Sequence, residues 1–156
     1  MIRKTMLLLA VVGFLAAACD TNKPISQTHK FKNGVWERFE LLNFQLPVED
    51  SKAAFDLSVE LSFTMAFPAE SLYVNVVMTT PSGEERIKDY NFTVKDANGN
   101  FLGTKKDGVY RLSVPIRKGI QFNEAGICKF EIENLMPKYV TSGIVEFGIT
   151  LEEKEK

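Results

Sequence analysis

Residues 55–67 alternate between two kinds of side chain. Phe55, Leu57, Val59, Leu61, Phe63, Met65 and Phe67 take the odd positions, and the even positions are polar apart from Ala66. A β-strand points successive side chains to opposite faces, so this run makes one apolar face and one wet face. On a helix of about 3.6 residues per turn the odd positions would scatter around the axis. A strand this apolar on one side must be covered by a second apolar layer. The rest of the chain offers several. Residues 73–80 are rich in β-branched side chains, and 86–95 alternate through Tyr90, Phe92 and Val94. Residues 109–117, 126–133 and 144–151 read the same way, the last through Val145, Phe147, Ile149 and Leu151. An earlier strand is expected over 36–48, with Pro47 near its end.

Turn signals separate these runs. Pro68 ends the long one, Pro81-Ser82-Gly83-Glu84 reads as a turn, and Asp96-Ala97-Asn98-Gly99-Asn100 contains the Asn-Gly pair that favours positive φ. No long window carries a helical apolar period; a short helical turn is expected at Asn134-Leu135-Met136, before Pro137 blocks extension. Seven or eight strands with one apolar face each predict an all-β, antiparallel two-sheet β-sandwich, jelly-roll-like in kind. A partly open barrel satisfies the same pattern.

The N-terminus follows other rules. Arg3 and Lys4 precede an apolar or small-residue run over 6–18, which ends Leu15-Ala16-Ala17-Ala18-Cys19. A positive start, a short apolar stretch and small residues at a cut site describe a secretory signal. The stretch is shorter than the roughly 20 residues that span a bilayer. Small residues directly before Cys19 resemble the lipobox of bacterial lipoproteins, which implies that Cys19 is lipidated and becomes the new N-terminus. The expected organisation is a signal peptide at 1–18, a lipidated flexible tether at 19–29 and a β-sandwich at 30–152. The membrane is the first partner, through the lipid; inner and outer membranes both stay open.

Removing the signal takes away two basic residues and no acid, leaving 17 Lys and Arg against 20 Asp and Glu. A net charge of −3 gives the mature chain no overall pull toward nucleic acid or anionic lipid. Cys128 is then the one remaining cysteine, so no internal disulfide can form. It alternates with Phe130 and Ile132 on the apolar face of its strand, as a buried thiol would.

Residues that carry chemistry are sparse. His29 is the one histidine, so a hydrolytic triad has no base beyond the edge of the tether. Asp96, Asn98 and Asn100 look like the start of a calcium loop, but Phe101 stands where that loop needs Gly and Asp107 where it needs Glu. Asn91-Phe92-Thr93 matches a glycosylation sequon inside an expected strand. The acid pairs Glu84-Glu85 and Glu152-Glu153 lie at a turn and a tail, with nothing apolar to raise one pKa. No enzyme activity, metal or cofactor is expected. Trp36 has two readings, a core residue of the first strand or an exposed platform for a glycan or partner. Exposed sheet edges offer a further route to a protein partner by strand addition.

Several segments, taken in order, resemble the gliding-motility lipoprotein GldH family. They are His29-Lys30-Phe31-Lys32-Asn33-Gly34-Val35-Trp36, Leu72-Tyr73-Val74-Asn75-Val76 before Pro81-Ser82-Gly83, and Asp96 through Gly103. Gly119-Ile120-Gln121-Phe122, Gly126 through Glu133 and Gly143 through Ile149 complete the set. The resemblance implies an envelope lipoprotein associated with gliding machinery and, through it, with type IX secretion. It supplies no catalytic residues. The expectation is a membrane-anchored, non-enzymatic accessory that meets other envelope proteins, its oligomeric state open. The alternative is a lipidated carbohydrate-binding module built around Trp36.

Overall fold

The alternating run becomes the centre of the larger sheet. The computed structural model describes residues 23–154. Within them lie β1 (Ile25–Lys30), β2 (Val35–Glu37), β3 (Leu42–Val48), β4 (Phe55–Thr64), β5 (Ser71–Thr79), β6 (Glu85–Thr93), β7 (Thr104–Lys106), β8 (Val109–Ile120), β9 (Gly126–Asn134), β10 (Val140–Ser142) and β11 (Ile144–Glu153). A single 3-10 turn, Lys32–Gly34, interrupts them, and no α-helix occurs among the described residues. Five strands form one sheet in the order β1-β11-β4-β8-β7, and four form the other as β3-β9-β5-β6. A ribbon of β10 and β2 closes one end.

All pairings are antiparallel, and four of them nest. The hairpin β5–β6 lies inside β4–β8, which lies inside β3–β9, which lies inside β1–β11. Folding a chain back on itself in this way and rolling it into two sheets gives a jelly roll. The expected sandwich is what forms. Its core is where the two inner faces meet: Phe55, Leu57, Val59, Leu61 and Phe63 of β4 oppose Leu72, Val74, Val76 and Met78 of β5 and Phe130 and Ile132 of β9, all buried. At roughly 25 cal/mol per Å² of apolar surface removed from water, such a layer is the main favourable term in folding.

Four local expectations are corrected. Residues 36–48 are two strands, not one. Trp36 Nε1 donates to Glu40 O at 2.9 Å and Glu40 N to Glu37 O at 3.1 Å, which turns the chain between β2 and β3. The expected helical turn at 134–136 is absent, because Asn134 Oδ1 accepts the Met136 N–H at 2.9 Å and satisfies it outside any helix. The long strand ends at Thr64 rather than at 67. Phe67 N donates to Thr64 O, so the chain turns and Met65 points out at 69% exposure while Phe67 remains buried.

The fourth concerns the expected tether at 19–29. Residues from Ile25 onward are instead strand, and β1 lies along the free edge of β11. Its polar side chains hid it. An edge strand is held mainly by its backbone, and here Ser26 Oγ also meets Thr150 Oγ1 at 2.8 Å across the pair. Gln27 Oε1 accepts the Gln45 N–H at 2.7 Å, tying β1 to β3 in the other sheet.

Gly143 fixes the closed end. Its N–H donates to Gly34 O and its carbonyl accepts from Thr64 N, each at 2.8 Å, while φ is +78°. A Cβ there would collide with the Phe67 amide nitrogen. Gly143→Ala is expected to cost more than about 2 kcal/mol, from strain and overpacking together. Urea denaturation of the variant against the parent measures it.

Candidate functional site

The two ends of the sandwich differ in chemistry. At one end β4, β5 and β9 meet the turns around β2 and β10. Phe39 is 74% exposed there and Tyr139 56%, with ring centres 5.9 Å apart. Leu41 and Val140 stand beside them in sequence and are also exposed, and Met65 lies on the turn after β4. Tyr139 Oη donates to Glu37 Oε2 at 3.3 Å, and the Tyr139 carbonyl accepts from Arg38 N, so the aromatic pair is held in place. A shallow hollow of about 140 Å³, lined by Pro68, Ala69, Met136, Pro137 and Val140, adjoins this end. Large exposed apolar groups close together mark a contact surface better than scattered ones do.

The other end is where the described chain begins. Register runs straight across the larger sheet from Ile25 to Leu151, to Leu57, to Arg117. Beyond Arg117 the sandwich is open, because β7 covers only Val109 to Arg111 of β8 and β6 is the edge of the opposite sheet. Between these two edges lies a cleft of about 290 Å³. Leu57, Val76 and Met78 form its floor, Ile116 and Tyr90 its walls, and Arg86, Lys88 and Arg117 its rim.

The rim is cationic in part. Arg86 is engaged by Glu84 through two hydrogen bonds of 2.8 and 3.0 Å, which lower the Glu84 carboxyl from its usual range. Lys88 Nζ sits 5.0 Å from the Tyr90 ring centre. Burial pushes the Tyr90 phenol up, and the charge of Arg117 pulls it back down. Lys88, Arg117 and the adjacent Lys118 make no ion pair among the described residues.

Trp36 is not part of either surface. It is 0% exposed, stacked on Phe31 at 5.1 Å and edge-on to Phe147 at 5.5 Å. The platform reading of Trp36 is therefore corrected: no face of the indole is open to a sugar or a partner. The carbohydrate-binding alternative loses the residue that motivated it. Cys19 lies outside the described residues. His29 stands near Glu40, Nε2 to Oε1 3.5 Å, and edge-on to Phe31, away from any serine or cysteine partner among the described contacts. In the turn at 96–100, Asp96 Oδ1 accepts the N–H groups of Asn98 and Asn100, both at 2.9 Å. The Asn100 bonds hold the Asp96 carboxyl below its usual range. This carboxylate organises its own hairpin.

Neither surface was singled out from the sequence. The signal for the cleft was present as segregated charge: residues 86–118 hold eight Lys or Arg and three Asp, inside a mature chain that is acidic on balance. The signal for the distal end was weaker, Phe39 inside the expected strand at 36–48 and Tyr139 between two expected strands.

Comparison with known proteins adds the family. The model of the family described as GldH lipoprotein matches residues 24–151, which is the sandwich from the start of β1 to the end of the core of β11. The chain belongs to the GldH lipoprotein family. It is 24% identical over 155 residues to the gliding motility lipoprotein GldH of Flavobacterium johnsoniae, covering 95% of this chain and 96% of that one. It is 21% identical over 148 residues to the gliding motility lipoprotein GldH homolog of Christiangramia forsetii, covering 90% of each. A chain in the structure of infectious bursal disease virus Gx strain shares 13% identity at a TM-score of 0.35, over 92% of this chain and 36% of that one, a likeness too slight to bear on the fold. Membership in a lipoprotein family implies membrane anchoring in the cell envelope, and the resemblance read from the ordered segments is shown.

Within this GldH-family domain Cys128 is a core residue, 0% exposed, its thiol pushed up to about 12 by burial. A group whose folded pKa is raised adds stability below its ordinary value and loses it as pH climbs toward the raised one. The thiol is expected to resist alkylation at pH 8 until denaturant is added. The stability gap between the parent and Cys128→Ala is expected to narrow between about pH 9 and about 12. Mass spectrometry after alkylation and denaturation curves across pH check both.

Proposed function

We propose that this protein is an envelope lipoprotein anchored through Cys19 and acting as a non-enzymatic accessory of a gliding-motility and type IX secretion-associated assembly. Residues 1–18 serve as the signal, and Cys19 becomes the lipid-bearing N-terminus. The short segment before β1 is the link to the bilayer. The observation that carries the reading is the family match across the whole sandwich, 24–151, behind a lipobox-like Ala17-Ala18-Cys19.

The geometry supports it. Among the described residues no three His, Cys, Asp or Glu side chains cluster as a metal site would. The one free thiol there is buried and protonated at neutral pH, where a nucleophile needs a lowered pKa and access. Exposed aromatic groups, by contrast, suit protein contact. Phe39, Met65 and Tyr139 lie at the end opposite the chain entry, which an N-terminal lipid would turn away from the bilayer toward an envelope protein partner.

Deleting the gene in a gliding host is expected to abolish spreading on agar, with rescue by the parent gene. The doubly substituted Phe39→Ser, Tyr139→Ser variant is expected to reach the envelope in normal amount and rescue poorly. Normal spreading in the deletion strain overturns the motility reading. For the anchor, Cys19→Ser is expected to move the protein from the membrane fraction to the soluble fraction. If it still sediments with membranes, lipid on Cys19 is not what holds it.

A further inference from the structure

We propose that the open cleft between β6 and β8 binds an anionic phospholipid of the bilayer to which the chain is tethered, so that the domain is seated on the membrane as well as tied to it. This builds on the anchored reading above, which supplies the membrane.

Three observations carry it. The first is the amphipathic lining: an apolar floor of Leu57, Val76 and Met78 opens onto a rim holding Lys88 and Arg117. An acyl chain and a phosphate ask for those two chemistries side by side. With about 290 Å³ the cleft is near the lower bound of ligand pockets, roughly 300–1,000 Å³, and suits part of one acyl chain rather than a whole lipid.

The second is place. Arg117 shares a row of the sheet with Ile25, three strand spacings away, which is about 14 Å at roughly 4.8 Å each. Cys19 is six residues before Ile25, a span of at most about 20 Å when extended. A lipid on Cys19 therefore brings the bilayer surface within reach of this end of the sandwich and not of the other. β8 runs toward that end, so Lys118 follows Arg117 in the direction of the bilayer.

The third is charge. Arg86, Lys88, Arg117 and Lys118 lie toward this end of β6 and β8, whereas Lys95, Lys105, Lys106 and Arg111 of the stretch 86–118 lie toward the other. Basic side chains near an anionic bilayer are each attracted to it, and the attraction falls off within about 10 Å in ordinary salt.

The other occupant such edges invite is a peptide strand, and the edges are built against it. Pro115 removes an N–H from the uncovered stretch of β8, register shifts break its pairing with β4 near Leu57, and β6 carries Arg86, Lys88 and Asp89 along its length.

The test uses a chain beginning at residue 20, which keeps every described strand and has no cysteine to lipidate. It is expected to co-sediment with vesicles of equimolar phosphatidylglycerol and phosphatidylcholine and not with phosphatidylcholine alone. Lys88→Gln and Arg117→Gln are each expected to lower the partition about fivefold. Lys138→Gln, at the far end, is expected to leave it unchanged. Monomeric lysophosphatidylglycerol is expected to shift the NMR signals of Tyr90 and Ile116, whereas glycerol 3-phosphate is not. Equal partition into both vesicles overturns the proposal, as do rim variants that bind like the parent. Displacement by glycerol 3-phosphate makes this a phosphate site and displacement by polyglutamate an acidic-peptide site, and either overturns it. The anchor is tested apart, by Cys19→Ser in cells, so the two readings fail independently.

Discussion

Phe147 stands against Trp36 at 5.5 Å and Phe44 at 6.2 Å, and through them one side chain of β11 touches the end ribbon and the opposite sheet. The rest of the fold depends on that meeting. In a nested topology the outermost pair, β1–β11, joins the two ends of the described chain, and β11 must also pair with β4 on its other side. Such contacts between distant parts of the sequence bring no local reward until the loop between them is closed. An aromatic cluster that buries three large rings at the junction supplies a reward large enough to fix β11 in place. The bulge in β11 between Ile144 and Glu146 is a local price of reaching both neighbours.

What was legible in the sequence follows from how each element is held. β4, β5, β9 and β11 are buried on one face over most of their length, so their side chains announce them at period two. β1 is held by backbone pairing and by Ser26 and Gln27, and a polar edge strand looks like a tether. The break between β2 and β3 depends on the Trp36 indole reaching the Glu40 carbonyl, a contact that exists only once Trp36 has entered the core. The same contact decided the fate of Trp36. A lone Trp on an alternating strand is either core or platform until something covers it, and here Phe31 and Phe147 do. Asn134 gives a comparable case: its amide serves Met136 N, Trp36 O and Thr141 Oγ1 inside the closed end, and nothing local foretells that.

Charge shows the limit of averages. A net value says how a molecule behaves at distances beyond its own diameter, where the field of every group is summed and salt screens most of it. A face is felt at contact. Arg86, Lys88, Arg117 and Lys118 gather toward one end of β6 and β8 in a domain whose total charge is acidic. Reading the count by segment, with the strand order in hand, recovers what the total hides.

The two ends then divide the work that an anchored domain has to do. β4 is ten residues long, which at about 3.3 Å per residue sets the ends roughly 33 Å apart. On the proposed anchoring, a lipid on Cys19 would fix which end faces the bilayer, but a single point of attachment would leave tilt and rotation free. An anchored domain whose partner lies in the plane of the membrane or above it loses affinity by searching those angles, because every orientation that hides the contact surface reduces the competent fraction. Seating the open cleft on lipid headgroups, as proposed, would remove that freedom at one end and present Phe39 and Tyr139 outward at the other. The gain would need only a weak lipid contact, since on that proposal the anchor would hold the cleft at the surface and make its binding effectively intramolecular.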